Sequence, residues 1–119
     1  MLITIDPTAN VPLADQIAAS VRGAAVRGEL SPGDRLPPAR EVAAALGVNL
    51  HTVLRGYQRL RDEGLVDLRR GRAAVLTDAA DGPRLAVAEH VRALVEAARR
   101  AGLGEQELHT AIEDAFNRP

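Results

Sequence analysis

Between Leu13 and Gly64 the apolar residues recur three and four positions apart in three successive stripes, and a glycine closes each one. Leu13, Ile17, Val21 and Ala24 make the first, up to Gly28. Val42, Ala43 and Leu46 make the second, up to Gly47, and Val53, Tyr57 and Leu60 the third, up to Gly64. Such spacing puts one apolar face on each of three helices, and a glycine supplies the left-handed stop that other residues resist. Pro12 fits the first turn of the first helix, Ser31-Pro32-Gly33-Asp34 is a turn, and Leu36-Pro37-Pro38 opens the second helix. Only Val48-Asn49 separates Gly47 from the third helix, and Asn49 is a good N-cap. Two helices about so tight a turn form a helix-turn-helix.

Past Gly64 the period shortens. Leu65, Val66 and Leu68 form one β-prone run and Ala73–Thr77 another, with Arg69-Arg70-Gly71-Arg72 between them, which predicts a hairpin with an arginine-rich tip. Asp78–Arg84 is polar with a Gly-Pro break and reads as a linker. Leu85, Ala88, Val91, Leu94, Val95 and Ala98 then make a fourth helical stripe ending at Gly102. Leu108, Ile112, Ala115 and Phe116 make a fifth after Gly104. Ahead of it all, Met1–Asp6 alternates and reads as an extended lead-in or edge strand. The expected fold is mainly α with a small β-hairpin wing. Its divisions are a winged helix-turn-helix at 1–77, a linker at 78–84 and a helical hairpin at 85–119.

Composition narrows the function. The 119 residues are 46% hydrophobic and 26% charged, which suits one packed core rather than disorder. Charges interrupt every candidate membrane span, and the N-terminus has no secretory pattern, so a cytoplasmic protein is expected. Cysteine is absent, which removes disulfides, thiol catalysis and thiolate metal sites. Tyr57 and Phe116 are the only aromatics, too few to stack on unpaired bases. No phosphate loop, nucleophilic triad or metalloprotease helix occurs, so no enzyme is expected. His90 and His109 read as surface residues; no metal and no cofactor are expected.

The net charge of −1 hides a local bias. Residues 1–74 hold 10 Arg and 8 acids, residues 75–119 hold 5 Arg and 8 acids, and from Asn49 to Arg72 there are 6 Arg against 3 acids. The basic charge thus gathers on the third helix and the hairpin.

The run Gly28-Glu29-Leu30-Ser31-Pro32-Gly33-Asp34-Arg35-Leu36-Pro37-Pro38-Ala39-Arg40-Glu41 is the specific part. With Leu46-Gly47-Val48-Asn49, Thr52-Val53, Tyr57-Gln58-Arg59-Leu60, Glu63-Gly64-Leu65-Val66 and Arg70-Gly71-Arg72, it resembles the DNA-binding domain of the GntR family of bacterial transcription regulators. The two-helix tail is too short for the ligand-binding domains of larger relatives and looks like the YtrA-type subfamily. What the resemblance implies is a homodimeric regulator, a repressor of a nearby transporter operon, bound to a palindromic double-stranded operator. It implies no membrane partner, and no effector can be read from the residues.

On that reading Asn49, Leu50, His51 and Thr52 sit at the floor of the major groove, with Arg55 one turn on. Leu50 and Leu54 stand where the family often has basic residues, which implies either a different operator or readout shifted to His51 and Arg55. Arg40 matches a family position that contacts DNA from the preceding helix. Arg70, Gly71 and Arg72 match the wing that approaches the minor groove. Arg59 and Arg61 read as a salt-bridged solvent face, Tyr57 as core, and Arg69 as pointing away from its neighbours. Leu85, Ala88, Val91, Leu94, Val95, Leu108, Ile112 and Phe116 are the expected dimerisation residues, because a short hairpin cannot cover two stripes by itself. The alternative is a winged-helix module for protein–protein contact, whose binding would barely respond to salt.

Overall fold

The structure is a computed structural model that describes residues 3–69 and 71–118. Its elements are α1 (Leu13–Val26), α2 (Ala39–Leu46), α3 (Leu50–Asp62), β1 (Val66–Asp67), β2 (Val75–Leu76), α4 (Gly82–Ala101) and α5 (Glu105–Asn117). The chain divides into two units, Met1–Ala86 and Val87–Pro119.

In the first unit α1 and α3 bury their stripes against each other. Ile17, Val21, Val53 and Leu60 are all at 2% exposure or less, and burying each such side chain stabilises by roughly 1.5–3 kcal/mol. The approach is close because Gly56 of α3 has no side chain. A Cβ there would lie 2.9 Å from Ile17 Cγ2 and 3.0 Å from the Ala14 carbonyl oxygen. Arg22 reaches across to Glu63 with two hydrogen bonds of 2.9 and 3.2 Å, and Arg59 pairs with Asp15 at 2.7 Å. Both pairs tie α1 to α3.

Helix α2 ends at Gly47, whose φ of +67° lets the Val48 N–H turn back to the Ala43 carbonyl. The turn into α3 is therefore three residues long, Gly47 to Asn49. The hairpin is antiparallel, with Val66 opposite Leu76 and Asp67 opposite Val75. Its other edge is covered too. Gly33 and Leu36 donate to the Leu76 and Ala74 carbonyls, Leu76 donates to Asp34, and Arg35 bridges Val75. The Ser31–Leu36 turn segment thus runs as a third line beside β2, which neither its prolines nor its glycine suggested.

Three expectations need correction. The lead-in forms no strand in its described part, Ile3–Asp6; Met1 and Leu2 lie outside the described residues. It is held instead by side chains. Ser20 Oγ accepts from the Thr4 N–H, and the Gln16 carboxamide both accepts from the Asp6 N–H and donates to its carbonyl. Asp78–Arg84 is not a loose linker. Asp78–Ala80 is a 3-10 turn with Ala80 buried, and α4 already starts at Gly82, whose Cα lies so near α1 that a Cβ would stand 2.9 Å from the Ala25 carbonyl oxygen. Leu85, one turn on, is consequently buried in the core of the first unit rather than free for dimerisation.

Within the second unit α4 turns at Gly102, φ +73°, and Glu107 accepts from the Gly104 N–H to start α5. No residue of α5 is buried.

Candidate nucleic-acid interface

The start of α3 is built by Asn49. Its extended backbone sets it outside the helix, and its Oδ1 accepts from the His51 N–H at 2.8 Å. The cap uses the carbonyl end of the carboxamide and leaves its NH2 end free to donate outward. His51 and Arg55 are exposed, four residues apart on the side of α3 opposite Val53, Tyr57 and Leu60. Thr52 is half-buried. Leu50 packs half-buried against the core, which gives the outward reach to His51 and Arg55.

Tyr57 keeps α2 in register with this helix. Its ring is buried and its hydroxyl donates to the Pro37 carbonyl at 2.6 Å, so the hydroxyl faces protein and not solvent. Burial alone pushes the phenol up to about 12. Arg40 follows in the first turn of α2, exposed.

The arginines of this unit fall into two sets. Among the described residues, Arg22, Arg27, Arg59, Arg61 and Arg69 each hold a carboxylate within 3.3 Å. Arg35, Arg40, Arg55, Arg72 and, at the start of α4, Arg84 are exposed and hold none. An ion-paired guanidinium has its donors partly spent, whereas an unpaired one keeps the whole fork for a phosphate or a guanine edge. The unpaired set includes Arg40, Arg55 and Arg72, three of the arginines expected to meet DNA.

At the wing tip Arg72 donates its N–H to the Arg69 carbonyl at 3.0 Å, and Gly71 takes φ +73°. Left-handed backbone without a Cβ gives the tip its close approach. Arg70 lies outside the described residues. Below the tip an open groove of about 600 Å³ is lined by Arg35, Asp67, Arg69, Gly71, Arg72 and Val75, among others. Arg69 turns along the strand to Asp67 at 3.2 Å.

Two exposed residues escaped the sequence reading. Gln58 lies on the same side of α3 as His51 and Arg55, a position its spacing of seven and three already fixes. Arg35 reaches the wing only through its bridge to Val75, a long-range pairing that spacing cannot show.

The second unit carries the remaining expected residues. Val91, Leu94, Val95, Leu108 and Ile112 line one open groove of about 440 Å³ between α4 and α5. Ala88 is exposed, and Phe116 at 85% is the most exposed large apolar side chain described.

Residues 13–76 match the family model described as bacterial regulatory proteins, gntR family. The HTH-type transcriptional repressor YtrA of Bacillus subtilis (strain 168) is 30% identical over 118 residues, 95% of this chain and 91% of that protein. Among solved structures, YtrA from Sulfolobus acidocaldarius, a GntR-family transcription factor, is 36% identical with a TM-score of 0.62, covering 80% of this chain and 99% of that one. AraR(DBD) in complex with operator ORX1 shares the fold at a TM-score of 0.55 and 20% identity, over 62% of this chain and 92% of that one.

Proposed function

Since the chain belongs to the GntR family of bacterial regulatory proteins, and is therefore a DNA-binding transcription regulator, we propose that it acts as a homodimeric repressor on a palindromic operator. Arg40 grips phosphate or a guanine edge from α2. Asn49, His51, Thr52 and Arg55 read the major groove from the first turns of α3, and the wing with Arg70, Gly71 and Arg72 follows the adjacent minor groove. The observation that carries this assignment is the division of the arginines. Arg40, Arg55 and Arg72 stand exposed and unpaired, while Arg22, Arg59 and Arg61 on the α1 and far α3 surfaces are neutralised by acids.

Dimerisation belongs to the same proposal. A 13-residue helix with no buried residue has too little to hold it in water, since isolated helices of that length are marginal. The exposed apolar side chains of α4 and α5, Val91, Leu94, Ile112 and Phe116, are what a second copy would cover. A two-fold pair then presents two α3 helices to half-sites about one DNA turn, roughly 34 Å, apart. No described helix is long and apolar enough to cross a membrane, and we assign the chain to the cytoplasm, where its operator lies.

Selection of bound duplexes from a random pool tests the whole reading. The expected result is an inverted repeat with half-sites about ten base pairs apart, centre to centre. A pool that enriches no sequence, or binding that does not weaken as salt rises, would refute it.

A further inference from the structure

Register places a second set of charges on the wing. Arg35 bridges Val75 on one side of β2, and Asp67 pairs with Val75 on the other. Directly opposed residues of an antiparallel ladder share a face, so Arg35, Val75 and Asp67 form one row across the sheet. Arg69, two residues beyond Asp67, falls on that face as well and reaches back to the Asp67 carboxylate at 3.2 Å. The other face is the buried one: Leu36, Val66 and Leu76 are each exposed by 3% or less. The charged row is therefore the outer face of the wing, and the open groove below the tip runs along it.

We infer that this outer face, from Arg35 across Val75 to Arg69, carries a backbone phosphate of the bound duplex, and that Asp67 limits how tightly it does so. The inference rests on the DNA-binding reading and extends the contact from the wing tip to the wing flank. Arg35 suits the task because its backbone is already held on both sides by Leu76→Asp34 and Leu36→Ala74 hydrogen bonds, so only its side chain has to be ordered on binding. It is exposed, and no acid among the described residues neutralises it. Asp67 acts in the opposite sense. It occupies the Arg69 guanidinium and sets a negative charge in the path of the phosphate. Continuity with Gly71 and Arg72 in the same groove favours DNA over a separate anionic ligand.

A phosphate contact is indifferent to sequence, so a mixed-sequence duplex of about 30 base pairs serves as the probe, with affinity followed across a salt series. Arg35→Ala is expected to flatten the salt slope by about one unit and to weaken binding about fivefold near 0.15 M salt. Arg35→Lys should recover most of the slope, since a point charge suffices for phosphate. Asp67→Asn should tighten binding roughly two- to fivefold by removing one repulsive charge. Unchanged affinity and slope in Arg35→Ala, with Arg40→Ala and Arg72→Ala still weakened, would overturn the flank contact and leave the family reading standing. If all three alanine variants bind as the parent does, the helix and wing assignment falls along with it.

Discussion

The Tyr57 hydroxyl, in the middle of α3, donates to the Pro37 carbonyl oxygen at 2.6 Å, just ahead of the first residue of α2. That bond ties the entry of one helix of the helix-turn-helix to the body of the other, three residues before Arg40. Tyr57→Phe keeps the packing and leaves the Pro37 carbonyl without its donor. The expected cost is about 1 kcal/mol, read as a lower urea midpoint with an unchanged slope. An unaltered midpoint would mean that water replaces the bond without loss.

The same side chain makes stability depend on alkaline pH. Burial favours the neutral phenol and pushes its value up from 10.0 to about 12. A group raised in the folded state contributes stability that is fully present below its unfolded value and is lost as pH rises through its folded value. The window is therefore pH 10 to about 12. Tyr57 is the only tyrosine and there is no tryptophan, so tyrosinate absorbance reports this one group. The folded protein should titrate, or unfold, well above the midpoint seen in urea. Coincident curves with and without urea would rule out the burial effect.

Two helical glycines should answer alanine with opposite signs. At Gly56 a Cβ meets Ile17 and the backbone oxygen of Ala14, so Gly56→Ala must push α1 from α3. The expected loss is about 1–2 kcal/mol despite the gain in helix propensity. At Gly23 the nearest neighbour is the Arg27 guanidinium, 3.0 Å away and at the end of a flexible chain. Gly23→Ala should stabilise by about 0.5–1 kcal/mol. Thermal melts of the pair decide it; a stabilising Gly56→Ala would show that the α1–α3 contact has slack.

What the chain disclosed beforehand follows from the range of the interactions. Helices α1, α2 and α3 and their glycine stops were legible because stripe and cap are local, within four residues. The wing was legible as a hairpin around Gly71, but the Arg35–Val75 bridge spans forty residues and leaves no periodic trace. The start of α4 is hidden in the sequence because Pro83 sits in its first turn, where proline is tolerated, and Gly82, which reads as a break, marks a close approach to Ala25. Arg40 and Arg55 follow from motif and spacing. That their neighbours Arg59 and Arg61 are paired with Asp15 and Asp62 needed coordinates, at least for Asp15, which comes from another helix.

That pairing gives a direct contrast in DNA binding. Arg40→Ala and Arg55→Ala should each weaken operator binding and lower the magnitude of the salt slope by about one unit. Arg61→Ala removes an arginine already opposite Asp62 and should leave both nearly unchanged. Filter binding or fluorescence anisotropy over a salt series separates the cases. Equal effects at Arg55 and Arg61 would show that net charge, not placement, sets the affinity.

The tail should govern assembly and, through it, affinity. Phe116 is 85% exposed and Ile112 42%, so in one copy their apolar surface faces water. A second copy would bury it, and a covered phenylalanine removes roughly 150–250 Å² from solvent. Phe116→Asp or Ile112→Asp places a charge in that contact and should shift sedimentation equilibrium from dimer towards monomer, while the first unit keeps its thermal transition. Operator affinity should then drop by about a hundredfold, because two linked half-site contacts become two separate ones. Both variants sedimenting as the parent does, or a parent that is monomeric at micromolar concentration, would show that α4 and α5 serve something other than pairing.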